Sequence, residues 1–402
     1  MTPFLQLIFS LIIIIIGAKM GSWLANRLRQ PAVLGELLVG LLLGPSVLNL
    51  MGWPILLNAH ESHLLTETVF ELAELGVVCL MFLAGLEIEP REMLQAGRVA
   101  TLAGVSGVLV PLALGALIAL PFGYQGNTAL FVGMILTATS VSISAQTLLE
   151  LGRLRSREGI ALLGAAVIDD VLVILLLSVF VALAEGTASP SAALAVVGKM
   201  IAYLSVAILL GFFLLPRLAE WVHGQSISEG LAALVLVTAL VFAWSAQVVG
   251  GLAAITGAFI AGVGFGRSRL RDEIERNMHT LTYAFLVPIF FVSIGLKTNV
   301  RELTGPDLVF AMALVLVAIF SKVTGCGLGA RLGGFTDRES LRVGMGMVSR
   351  GEVGLIVATV GVDAGLVKTE LFSVVTFVVL LTTLITPLLL RLAFADKETD
   401  YA

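Results

Sequence analysis

An all-α polytopic membrane protein of about thirteen transmembrane helices is the fold class this sequence predicts. Three observations predict it. The 402 residues are 58% hydrophobic and only 13% charged, with a mean hydropathy of +1.03. That is more apolar surface than a water-soluble domain can hide. Charges and Gly/Pro clusters cut the chain into apolar runs of membrane-spanning length. Two of those runs, far apart in the chain, carry a polar interruption at their centres, which marks inverted repeats with two crossing discontinuous helices.

Taken in order, the candidate spans are 5–23, 32–49, 65–86, 97–121, 127–150, 157–184, 191–217, 228–247, 250–266, 279–297, 306–331, 340–361 and 369–392. The first lacks a basic leader and a clean small-residue cleavage site, so it reads as a retained helix and not a signal peptide. The eighth and ninth are separated only by Val248-Val249, so they also read as one kinked hairpin. Cys79 and Cys326 both fall inside apolar runs and read as small core residues. His60, His63, His223 and His279 lie at or beyond helix ends, a placement that offers no histidine metal cluster. The formal net charge of −4 carries no signal for nucleic acid.

Charge bias predicts orientation. Loops after odd-numbered spans hold Arg27 and Arg29, Arg91, Arg153 and Arg155, Arg217, Arg267, Arg269, Arg271 and Arg276, and Arg338, and the tail adds Lys397. The alternate loops hold His60, His63, Gln125, Glu185, Arg301 and Asp363, with Lys297 and Lys368 at helix edges. The excess places the N-terminus outside and the C-terminus in the cytoplasm of a cell-membrane protein.

Helices seven apart run in opposite directions, so an inverted repeat shows at that offset. The fifth span carries Thr137-Ala138-Thr139-Ser140-Val141-Ser142 at its centre, and the twelfth carries Ser349-Arg350-Gly351-Glu352-Val353-Gly354. Backbone freed at that depth must be satisfied by protein or water, so both breaks are expected to line a cavity.

Everything is organised around the sixth span. Asp169 and Asp170 sit at the centre of about 28 otherwise almost wholly apolar residues. A carboxylate there costs several kcal/mol, and two neighbours resist ionising together. Lys322 lies about 5 Å from the midpoint of the eleventh span at 1.5 Å per residue. Adjacent helical residues point roughly 100° apart, so one aspartate can pair with Lys322 while the other faces a cavity. A buried lysine tends to lose its proton and a buried carboxylate to gain one, so the set can bind and release protons near neutral pH. The hydroxyls of Thr137, Thr139 and Ser140, with unwound carbonyls, supply hard oxygen ligands for a small cation.

Each residue also has a plainer reading. The aspartates can be a structural pair with Lys322, and Lys322 a packing charge. Arg350 and Glu352 read first as a local clamp that neutralises the broken helix. Thr137, Thr139 and Ser140 can serve only helix packing. Glu71 and Glu74 in the third span, and Glu36 in the second, read as cavity-lining or structural, and Lys19 and Lys199 as snorkelling charges.

Gln30-Pro31-Ala32-Val33-Leu34-Gly35-Glu36-Leu37, Leu80-Met81-Phe82-Leu83-Ala84-Gly85-Leu86-Glu87 and Pro288-Ile289-Phe290-Phe291-Val292-Ser293-Ile294-Gly295 resemble signatures of the second cation:proton antiporter family. The likeness spans nearly the whole chain. The Asp-Asp pair and Ser349-Arg350-Gly351-Glu352 are most similar to NapA-type sodium/proton antiporters. Kef-type potassium exchangers, the neighbouring subgroup, usually carry Gln-Asp at the pair and a cytoplasmic nucleotide-sensing domain.

The resemblance implies an NhaA/NapA-like fold and a homodimer in lipid working by an elevator motion. Residues 1–96 and 228–297 would form the dimer scaffold, 97–184 and 306–392 the moving core, and 191–217 the linker. It implies that Asp170 binds the ion and that Asp169 pairs with Lys322. The expected activity is electrogenic exchange of sodium or lithium for protons, with no cofactor. Electroneutral potassium/proton exchange is the alternative. An intramembrane aspartyl protease is remote, because its two carboxylates must face each other and share a proton.

Overall fold

The computed structural model describes residues 2–53, 62–88, 90–184, 190–225, 227–297, 299, 301, 303, 305–363 and 370–395. Of the residues used above for orientation, His60, Glu185, Lys368 and Lys397 lie outside them. Among the described residues every regular element is helical, and nine helical stretches are long and apolar enough to cross a membrane.

The chain opens with α1 (Pro3–Arg27), started by Pro3 in the first turn and by the Thr2 hydroxyl, which accepts from the Leu5 N–H. α2 (Ala32–Leu43) follows, then α3 (Ser62–Glu87), α4 (Pro90–Ala119), α5 (Gly126–Ile135), α6 (Val141–Glu150) and α7 (Arg157–Ala184). α8 (Pro190–Phe213) runs almost directly into α9 (Leu215–His223). The second half holds α10 (Gly230–Ser245), α11 (Ala254–Phe265), α12 (Arg271–Leu281), α13 (Val287–Leu296), α14 (Gly305–Leu332), α15 (Asp337–Gly346), α16 (Glu352–Asp363) and α17 (Glu370–Phe394). Thr336 and Glu339 close a reciprocal capping box at the start of α15.

Several boundaries differ from expectation, each for a local reason. The second span stops at Leu43 and not at 49, because Gly44 and Pro45 end the helix. The tenth begins at Arg271, eight residues earlier than expected. α12 is polar on average, so hydropathy misses it, yet Ile274 and Met278, one turn apart, are buried. A π-helical turn, Thr282–Leu286, joins it to α13. The eighth and ninth spans are separate helices: α10 runs into a π-helical turn, Ala246–Gly250, and Gly251 takes a φ of 68° before α11 starts. The fifth and twelfth spans are each broken in two, at 136–140 and 347–351.

Two groups of helices pack tightly within themselves. In the first, α1, α2 and α3 pack with α10, α11 and α13. In the second, α4 packs with α5, α7 and α14, and α14 with α15 and α17. Glycines make this possible. A Cβ on Gly35 would overlap the backbone of Gly21, one on Gly40 the backbone of Val292, and one on Gly262 the backbone of Phe82. In the second group Gly133 meets the backbone of Leu112 and Gly329 that of Leu102. Between the groups the seam is filled by side chains, with Met81, Ile255 and Phe259 against Val141, Leu163 and Ala166.

Candidate ion site

The two broken helices meet at their breaks. The N–H of Ser140 donates to the Ser349 carbonyl at 2.9 Å, and the Ser349 hydroxyl donates to the Ser140 carbonyl. Ser144 donates to the Gly346 carbonyl and lies 3.2 Å from the Ser349 hydroxyl. Gly351 faces Ser140 so closely that a Cβ would collide with its side chain. Backbone groups freed by one break are thus satisfied by the other, as burial requires.

Arg350 completes this arrangement. It is 1% exposed, and its guanidinium donates to the Ala138 carbonyl at 3.1 Å and the Ala318 carbonyl at 3.3 Å. Ala138 lies in the first break and Ala318 on α14, so one planar cation joins three elements. The Thr383 hydroxyl on α17 donates to the Arg350 carbonyl at 2.8 Å. The side chain of Glu352, the other expected charge, lies outside the described residues.

At the centre of α7, Asp169 is fully buried and Oδ1 accepts from Lys322 Nζ at 2.8 Å. Lys322 is itself fully buried on α14. The second carboxylate oxygen, Oδ2, has no hydrogen-bond partner among the described residues. Asp170 points elsewhere, as the helical step demands. It borders a small void of about 20 Å³ on the seam, with Met81, Val141, Ile255 and Phe259.

The expected hydroxyl ligands do not gather around the aspartates. Thr137 bonds the Met134 carbonyl at 2.6 Å, Thr139 the Thr137 carbonyl at 3.4 Å, and Ser140 pairs with Ser142 at 3.0 Å. They finish the ends of the broken helix. A hydroxyl the sequence reading did not include, Thr256 on α11, donates to Asp170 at 3.4 Å. Thr256 is buried inside an apolar helix, and its only sequence signal is that isolated hydroxyl. Glu71 and Glu74 are exposed on α3; Glu74 borders a separate cavity of about 50 Å³ with Lys297 and Gly351. Glu36 is buried and accepts from Ser22 at 2.8 Å. It lines a larger cavity of about 660 Å³ with Gln146, Glu150 and Tyr283.

The family model described as "Sodium/hydrogen exchanger, transmembrane" matches residues 11–395. The chain belongs to that exchanger family. The exchanger is 38% identical over 394 residues to the "Na(+)/H(+)-K(+) antiporter GerN" of Bacillus cereus, covering 98% of this chain and 97% of the relative. It is 35% identical to the "Na(+)/H(+) antiporter" of Enterococcus hirae, covering 96% and 98%. It is 33% identical to the "High-affinity Na(+)/H(+) antiporter NhaS3" of Synechocystis, covering 98% and 91%. Its fold matches that of the sodium proton antiporter MjNhaP1 from Methanocaldococcus jannaschii, with a TM-score of 0.67, 17% identity and coverage of 98% and 99%. Membership places the exchanger among transporters, not enzymes, and makes monovalent cations and protons its substrates with no cofactor. Placement in the Kef-type subgroup gains no support from these relatives, all named as sodium/proton antiporters, one of them with potassium as well.

Proposed function

We propose that this exchanger is an electrogenic sodium(lithium)/proton antiporter in which cation and protons compete for Asp170 and Asp169. The observation that carries the reading is the fully buried Asp169–Lys322 pair beside Asp170, at the centre of a long apolar helix. The relatives named sodium/proton antiporters support the ion pair exchanged.

A cation entering at Asp170 meets that carboxylate first, and Asp169, whose Oδ2 has no hydrogen-bond partner among the described residues, turns to join it. Its positive charge draws Asp169 away from Lys322. The freed lysine, isolated in apolar surroundings, then favours its neutral form and releases a proton. A second proton leaves Asp170. Reversing these steps on the other side exchanges two protons for one cation. Arg350, itself in the second break, stays fixed on the Ala138 carbonyl of the first break and on the Ala318 carbonyl of α14, which lets the crossing half-helices move as a unit with α14.

The motion we propose is a slide of one helix group against the other. Residues 1–96 and 228–297 form the scaffold of a homodimer, 97–184 and 306–392 form the moving core, and 191–217 link them. The packing of glycines supports this division. Backbone-to-backbone contacts at described glycines lie within the scaffold, the linker α8 included, or within the core, and the seam carries side chains instead. Interdigitated backbones cannot slide past each other, whereas side chains at a seam can repack. A loaded or protonated core is nearly neutral and can cross; a bare one carries charge into lipid and cannot. Arginine-rich loops set the N-terminus outside and the C-terminus in the cytoplasm of the cell membrane.

Proteoliposomes with an imposed pH gradient test the reading. Sodium and lithium should dissipate the gradient in a manner that follows clamped voltage, and Asp170→Asn should abolish the response. Full sodium-dependent proton flux in Asp170→Asn would overturn it. Lys322→Ala should leave residual exchange that no longer responds to voltage. A second reading has potassium in place of or beside sodium, favoured by the relative whose name includes potassium. Potassium added to the same vesicles decides between them.

A further inference from the structure

Glu150 ends α6 and reaches across the seam to α2. Its Oε2 accepts from the Ala32 N–H at 2.6 Å and its Oε1 from the Val33 N–H at 3.2 Å. These are the first two N–H groups of α2, a 12-residue helix whose N-cap, Pro31, offers no capping side chain. The helix dipole also favours a negative charge at that end. Gln146, one turn back on α6, holds the carboxylate in place: its Nε2 donates to Glu150 Oε1 at 2.9 Å. Its Oε1 accepts from the Tyr283 hydroxyl at 3.0 Å. Tyr283 belongs to the same helix group as α2, and its carbonyl accepts from Lys19 at 2.8 Å. Lys19, Ala32, Gln146, Glu150 and Tyr283 border the 660 Å³ cavity.

We propose that Glu150, oriented by Gln146, is a positioning residue that latches the core onto α2 of the scaffold in this conformation and lets go when the core slides. This rests on the division into core and scaffold proposed above. The geometry gives the latch a single seat. Donors beyond the first turn of a helix are used by the helix itself, and Leu34 already donates to the Pro31 carbonyl. The carboxylate therefore has no next N–H to step onto. A slide of more than about 1–2 Å along α2 takes both bonds beyond hydrogen-bonding range. The latch stabilises one end of the transport cycle without touching the ion, so its strength sets how the two conformations are populated.

The test compares inside-out and right-side-out membrane vesicles, which present opposite faces of the exchanger to added sodium. Glu150→Ala should shift apparent sodium affinity in opposite directions on the two faces, changing the ratio of the two KM values about five-fold. Glu150→Gln should do the same, because one acceptor oxygen becomes an amide donor facing N–H groups. Gln146→Ala should shift the ratio in the same direction by less. Capping α2 by itself separates positioning from simple helix stability. Pro31→Asp in the Glu150→Ala background should recover thermal stability but leave the KM ratio shifted. An unchanged KM ratio in Glu150→Ala, or a ratio restored by Pro31→Asp, would overturn the latch. Asp170→Asn run alongside tells the two failures apart: retained flux there sinks the ion-site reading, while loss of flux there with an unmoved Glu150→Ala ratio sinks the latch alone.

Discussion

The interiors of the two helix groups and the seam between them are held by different means. Inside each group, backbones touch. Gly40 lies against Val292, Gly295 against Gly40, and Gly329 against Leu102, and none has room for a methyl group. At the seam, side chains meet: Thr256 reaches Asp170, Tyr283 reaches Gln146, and Glu150 reaches the end of α2. Backbone contact fixes one arrangement, because the ridge of one helix sits directly in the groove of another. Contacts through single side chains can be exchanged for others at small cost. Stability therefore resides in the interiors, and transport in the seam.

The largest effect should follow from breaking an interior. Gly40→Leu forces a bulky side chain into the backbone of Val292 and should cost roughly 3 kcal/mol or more. Fluorescence-detected size exclusion in detergent should show the monodisperse peak lost. A well-folded Gly40→Leu protein would mean that the contact at α13 is looser than described. Next comes the buried pair. Lys322→Ala leaves the Asp169 charge without its cation and should lower stability by roughly 3–5 kcal/mol. Pairing Asp169→Leu with Lys322→Met should recover most of that loss in a thermal-shift assay while voltage-dependent exchange stays absent.

Smaller changes sharpen the contrast. Thr336→Ala removes the capping hydroxyl of α15, inside the second group, and should cost about 1 kcal/mol without altering the sodium KM. The same cap responds to acid. The Thr336 N–H bond, above all, and the side-chain contacts around it hold the Glu339 carboxyl below its ordinary value of 4.5. Its contribution is therefore full above that value and is lost as pH falls through the folded value. The stability gap between wild type and Glu339→Gln should close on acidification; a gap that widened would contradict this assignment. At the seam, Thr256→Val should cost no more than about 1 kcal/mol yet shift the sodium KM, with Thr256→Ser close to wild type. A large fall in melting temperature with an unchanged KM would place Thr256 with the interior contacts and undo the comparison.

Much of this was legible in the chain itself. α7 spans Arg157–Ala184 as the apolar run predicts, with Asp169 and Asp170 at its centre. Lys322 emerged as an aspartate's partner because few other cations lie so deep in an apolar span. The helix breaks at 136–140 and 347–351 showed as polar residues in otherwise apolar runs. The amphipathic α12 did not show, because hydropathy averages over a helix and discards which side each residue faces.

Composition read along the chain was enough to place it in a membrane, to mark roughly where it crosses, and to pick out the charges that lie too deep to be incidental. Those are properties of composition along a line, set by the cost of placing polar groups in hydrocarbon. The pairing of Asp169 with Lys322 was implied by the family resemblance and is seen in the fold; that Thr137, Thr139 and Ser140 finish a helix end, and that Thr256 and Glu150 face across the seam, came from packing alone. Those outcomes depend on how helices rotate and pack against one another over separations of tens to hundreds of residues, and a 100° turn about a helix axis leaves no mark on hydropathy.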